Sequence, residues 1–85
     1  MSTFEKDRKV ADLATRAAMA FRILRITQRD LEAITAPEGF AINLKNYQEG
    51  RGEDPKDIRR ARSKANDAAD NEFWDAMREL DKAVG

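Results

Sequence analysis

The chain contains no cysteine and no histidine. Disulfide staples, thiolate nucleophiles, imidazole acid–base catalysis and most transition-metal sites are therefore excluded at once. Prolines number two and glycines four, so backbone breakers are confined to a few places. There is no long apolar run and no basic-plus-apolar leader, so neither membrane spanning nor secretion is expected, and a cytoplasmic setting is. Carboxylates are plentiful, but no spacing singles out a pair. No nucleophile–base pair, metal set or phosphate-cradling glycine loop is present, so no enzymatic activity, catalytic residue, metal or cofactor is expected.

What remains is a short, heavily charged chain. Its 85 residues make one small domain. A chain of that size buries only about 60–65% of its unfolded surface, which raises the prior for a homodimer. Charged residues make up 38% of the sequence with zero net charge. That zero hides an asymmetry: residues 1–65 carry 14 Lys/Arg against 10 Asp/Glu, and residues 66–85 carry 2 against 6. A basic body and an acidic tail result, though both also fit ordinary solvated helix faces.

The expected fold is all-α, with four helices. Val10, Leu13, Ala14, Ala17, Phe21 and Leu24 recur at intervals of three and four, the stripe of a first helix from about Thr3 to Arg25. Ile23 and Ile26 widen that stripe. Thr27 reads as an N-cap followed by a short second helix, Gln28 to Ile34, with Leu31 and Ile34 inward. Ala36-Pro37-Glu38-Gly39 reads as a turn.

Phe40, Ile42, Leu44 and Tyr47 then form a third helix. Alternation over residues 40–44 fits a strand equally, and Thr35-x-x-Glu38 offers a capping box that would start this helix earlier. Gly50-Arg51-Gly52 ends it with a left-handed cap. Asp54-Pro55 opens a long last helix to residue 84, with Asp57 in its first turn. Its stripe reads Ile58, Ala61, Ala65, Ala68/Ala69, Phe73, Met77, Leu80 and Val84. Asn66-Asp67 and Asp70-Asn71 are weak helix formers where a bend would fall. The large residues Phe73, Trp74, Met77 and Leu80 either fold back on the first helix or meet the same patch in a second subunit.

Residues 26–55 carry a resemblance. Ile26-Thr27-Gln28 with Leu31, then Leu44, Tyr47 and Gly50, then Pro55, resemble the lambda-repressor/Cro-like helix-turn-helix family over about residues 8–60. Glu32 stands where that family favours a small alanine, and the spacings Leu31–Gly50 and Gly50–Pro55 are one or two residues longer. The resemblance implies a helix-turn-helix-like body over 1–52, followed by the helix 54–84. It implies double-stranded DNA as partner and a role in transcription regulation.

A recognition helix would present Ala41, Ile42, Asn43, Lys45 and Asn46, with asparagine suited to adenine and lysine to guanine. Gln28 and Arg29 would touch phosphate or anchor that helix. Arg51, Lys56, Arg59 and Arg60, with Arg22 or Arg25, would hold the backbone. Each has a plainer reading as a turn cap or a solvated helix face. A second similarity lies in FEKDRKVADLATRAAMAF followed by DLEA, which looks like small helical proteins encoded by tailed phages. It implies no particular activity. The competing expectation is a small interaction module that binds and modulates a host protein, with Phe73, Trp74, Met77 and Leu80 as its contact surface.

Overall fold

A computed structural model describes residues 3–85. Three helices account for nearly all of it: α1 over Thr3–Thr35, α2 over Pro37–Gln48 and α3 over Pro55–Val84. The all-α expectation is met, but there are three helices and not four. The separate helix expected over Gln28–Ile34 is the last part of α1.

The reason lies in the bonding of Thr27. Thr27 Oγ1 is 2.9 Å from the Leu24 carbonyl oxygen, one turn back in the same helix, and 3.1 Å from Asn66 Oδ1. Its single hydroxyl proton serves one of these acceptors at a time. A threonine that back-bonds to the preceding turn needs no break in the backbone. No proline or glycine occurs between residues 3 and 36, so nothing else stops the helix. Pro37 does: Ala36 is extended (φ −61°, ψ 144°), as the residue before a proline prefers.

The start of α2 at Pro37 agrees with the earlier of the two starts weighed above. Ala36 is its N-cap, however, and supplies no side-chain bond. The segment from Phe40 to Tyr47 is helical throughout, not a strand. Gly39 lies inside α2 because the helix crosses the end of α1 there. A Cβ on Gly39 would overlap the Ala33 carbonyl oxygen.

The exit from α2 follows the glycine signal. Gly50 has φ 72°, Arg51 N donates to Asn46 O at 2.8 Å, and Gly50 N donates to Tyr47 O at 3.0 Å. These are the two bonds of a Schellman cap. At the start of α3, Asp54 Oδ1 accepts from Lys56 N at 2.9 Å with Pro55 in the first turn. The helix then runs unbroken through Asn66-Asp67 and Asp70-Asn71.

α1 and α3 pair antiparallel. Arg16 meets Glu72, Phe21 meets Phe73, Thr27 meets Asn66, and Asp30 meets Arg62. On α1 the positions withdrawn from solvent are Val10, Leu13, Ala17, Ala20, Leu24, Thr27, Leu31 and Ile34. Their spacing alternates three and four without a lapse, the heptad pattern of a two-helix seam. The facing seam on α3 is Asn66, Ala69, Phe73, Ala76, Leu80 and Ala83. Alanines dominate its tightest part, with Ala76 fully enclosed. Small residues let helix axes approach to about 8 Å, the short end of the usual range.

The seam corrects several stripe assignments. Ala14, Phe21, Ile23 and Ile26 on α1, and Ala61, Ala65, Ala68 and Val84 on α3, are exposed. Ala20 and Ala76 are buried instead.

The molecule is a rod of 63 × 17 × 15 Å with a radius of gyration of 18.6 Å; a compact chain of this length would have about 12 Å. Its accessible surface is 6699 Å², against about 5,100 Å² for a globular monomer of the same mass. Among the described residues, no helix is long and apolar enough to cross a membrane.

Two substitutions test this packing. Leu24→Ala removes the one buried core side chain larger than alanine among the described residues, and urea unfolding should show a loss of about 2–4 kcal/mol. Gly39→Ala should destabilise although alanine is ordinarily better in a helix by about 1 kcal/mol. Unchanged or raised stability would mean that α2 does not rest on the Ala33 carbonyl.

Candidate interaction surfaces

Two flanks border the α1–α3 seam. Residues two apart on a helix lie about 200° apart around its axis, so Phe21 and Ile23 project to opposite sides of the hairpin.

The Phe21 flank is aromatic. The Phe21 and Phe73 rings lie 5.5 Å apart, and Phe73 meets Trp74 edge-on at 5.2 Å. The Arg25 guanidinium sits 6.0 Å from the Phe21 ring centre. Phe73 is half-buried and packs with Met77 and Leu80 against the alanine core. Trp74 is 52% exposed. Thus three of the four expected contact residues belong largely to the intramolecular core, and Trp74 is the one that projects.

Arg60, Asp67 and Trp74 recur every seven residues, placing them in one column of α3. Lys56, Arg59, Arg60, Ser63, Lys64 and Asp67 line one shallow hollow at the α2 end of that column. It holds four cations against one carboxylate, in a chain with no net charge.

The Ile23 flank is aliphatic. Asp12, Thr15, Arg16, Met19, Ala20, Ile23 and Glu72 line a second hollow. Ile26 continues the row one turn on. Opposite them, Ala61, Ala65 and Ala68 recur at helical spacing with Glu72. Met19, Ile23 and Ile26 are 61%, 53% and 51% exposed. An ion pair closes each end of this strip: Arg16 Nη2 to Glu72 Oε1 at 2.9 Å, and Arg62 Nη1 to Asp30 Oδ2 at 3.6 Å. All four side chains are roughly half-exposed, so each pair adds only about 0–1 kcal/mol to the monomer.

The residues expected to read DNA are dispersed. Gln28 and Arg29 are exposed on the continuous α1. Asn43 is half-buried and lines a hollow with Ile34, Ile58, Ala61, Arg62 and Ala65. Lys45 is exposed and Asn46 half-buried. Asn43 and Lys45, two residues apart, face different ways. Arg51 is exposed and paired with Glu49. Arg59 and Arg60 are exposed in the cationic hollow.

Periodicity alone assigns Ile23 and Ile26 to a widened core face, which hides the aliphatic strip as a surface; in the structure both are exposed. A strict heptad over Val10–Ile34 leaves Met19, Ile23 and Ile26 as a second row, and that signal was available in the sequence. Comparison with protein-family models, with curated proteins and with solved structures finds no match to this chain.

The aromatic neighbours should separate in stability measurements. Phe73→Ala should cost about 3 kcal/mol, whereas Trp74→Ala should cost under about 1 kcal/mol because half its surface is already wet. Equal losses in chemical denaturation would place Trp74 in the core and remove it from the surface described here.

Proposed function

We propose that this chain is a non-catalytic helical-hairpin module that binds another protein through its aromatic flank. The observation that carries the reading is Trp74, held half-exposed on a pre-packed Phe21–Phe73 base. Exposed aromatics fixed by packing are the side chains that most often anchor protein interfaces, because little conformational entropy remains to be lost on binding. The cation cluster in the same column gives the partner its chemistry. An amphipathic segment would seat an apolar side chain on Trp74 and acidic groups near Lys56, Arg59, Arg60 and Lys64. The likeness to small phage-encoded proteins makes a host protein in the cytoplasm the natural partner class.

A second reading rests on the same cluster. Four cations within residues 56–64, a little over two turns of α3, also suit the phosphate backbone of double-stranded DNA. The transcription-regulator reading then relies on backbone contacts, since Gln28, Arg29, Asn43, Lys45 and Asn46 share no open face for reading bases.

One paired experiment separates them. Duplex DNA of random sequence is titrated across a salt series, and the immobilised wild-type protein and Trp74→Ala are used to capture partners from host lysate. The interaction reading expects a discrete captured protein that is lost with Trp74→Ala, and no strong DNA binding. DNA binding with a salt slope near −0.9 per phosphate contact, lost with Arg59→Glu/Arg60→Glu and indifferent to Trp74→Ala, would replace it with the second reading.

A further inference from the structure

The aliphatic flank has a property that the aromatic flank lacks: its charges complement themselves. On α1, Arg16 and Asp30 stand seven residues either side of Ile23. On α3, Glu72 and Arg62 stand five residues either side of Asp67, between the exposed Ala65 and Ala68. The cross-helix pairs Arg16–Glu72 and Asp30–Arg62 therefore form the corners of a rectangle with alternating signs. Met19, Ile23, Ile26, Ala65 and Ala68 fill its interior.

We infer that this flank is the contact between two copies of the chain, stacked as an isologous antiparallel dimer about a two-fold axis at the level of Ile23. The two-fold lies in the interface and perpendicular to the helices. It places α1 on the partner's α1 and α3 on the partner's α3. Arg16 then faces Asp30 of the partner subunit, and Glu72 faces Arg62 of the partner subunit. Every corner meets its opposite sign, and Ile23 meets its own symmetry mate. The four helices form a bundle of the ordinary kind, in which the exposed aliphatic row becomes the core.

Two observations support a second copy over another occupant. A heterologous partner has no reason to match a pattern symmetric about Ile23, whereas a self-contact requires it. The rod's surface of 6699 Å² exceeds that of a globular monomer of equal mass by about 1,600 Å² per chain, twice the roughly 800 Å² that each partner gives up in a standard interface.

The end of the hairpin selects between the two possible two-folds. Asn43 of α2 shares a hollow with Ala61, Arg62 and Ala65, so α2 stands on this flank at the closed end. An axis along the helices would drive α2 onto the partner's α2. The perpendicular axis puts the two α2 helices at opposite ends.

This inference does not depend on the aromatic flank's role, and its variants leave Trp74 untouched. The test is sedimentation equilibrium of the full chain over a dilution series, with circular dichroism confirming that each variant stays helical. The wild type should sediment at twice 9.7 kDa. Ile23→Asp should raise the dimer dissociation constant about tenfold or more, whereas Trp74→Ala should leave it unchanged.

Charge swaps test the geometry without disturbing the monomer. Arg16→Glu with Glu72→Arg keeps the internal pair but sets like charges across the two-fold, and should weaken the dimer. Adding Asp30→Arg with Arg62→Asp should restore it. Because the chain has no cysteine, Ile23→Cys reports on the axis directly. It should oxidise to a covalent dimer far faster than Trp74→Cys. A monomeric wild type, an Ile23→Asp variant with an unchanged dissociation constant, or a second swap that fails to rescue would each overturn the inference.

Discussion

The antiparallel seam between α1 and α3 is the constraint on which everything else rests. It is narrow, built from alanines with Leu24, Phe73, Met77 and Leu80 filling the wider levels. A seam of small residues brings two helices close but removes little apolar surface per turn. Its specificity comes from register. A shift of one residue would carry Phe73 and Ala76 off the seam and would part Thr27 from Asn66. The Thr27–Asn66 contact is a part-buried polar pair across the seam, and such pairs fix alignment more than they add stability.

Once the seam is set, the flanks follow by helical geometry alone. α1 is apolar around more of its circumference than α3 can cover, so Phe21 falls to one side and Met19, Ile23 and Ile26 to the other. The rod leaves both sets in water. On the aromatic side an exposed ring and a cationic hollow lie along the same helix, Trp74 about 15 Å from Lys64 at about 1.5 Å per residue, and on the aliphatic side an apolar strip lies between two ion pairs. These differ in chemistry enough to serve different partners, and the proposed roles divide along that line. Among the described residues there is no buried polar or charged side chain and no cluster of carboxylates that could hold a metal ion.

The local signals in the sequence were legible where they acted on the backbone directly. Asp54-Pro55 opened α3 and Gly50 closed α2 because a fixed φ, a capping carboxylate and a left-handed turn act within a few residues. Thr27 misled because the same hydroxyl that caps a helix also bonds to a carbonyl one turn back, and sequence alone does not say which. The α3 stripe was displaced because alanines occur all round its first half. Ala61, Ala65 and Ala68 obey helical spacing as well as Asn66 and Ala69 do. Only the long-range pairing with α1 decides which set turns inward. The helix-turn-helix likeness failed to give four helices for the same reason: Thr27-Gln28 carries the family's letters without the break that gives them their geometry.

The continuity of α1 through Thr27 is the most direct point of attack on this account. Residue-resolved amide hydrogen exchange would measure it. In an unbroken helix the amides of Gln28, Arg29 and Asp30 bond to carbonyls of the preceding turn and should exchange as slowly as those around Ala20. If a new helix began at Thr27, those amides would be its unbonded first turn and would exchange rapidly. Slow exchange supports the two-helix rod and both its flanks. Fast exchange confined to these residues would contradict the rod and return the chain to a four-helix body.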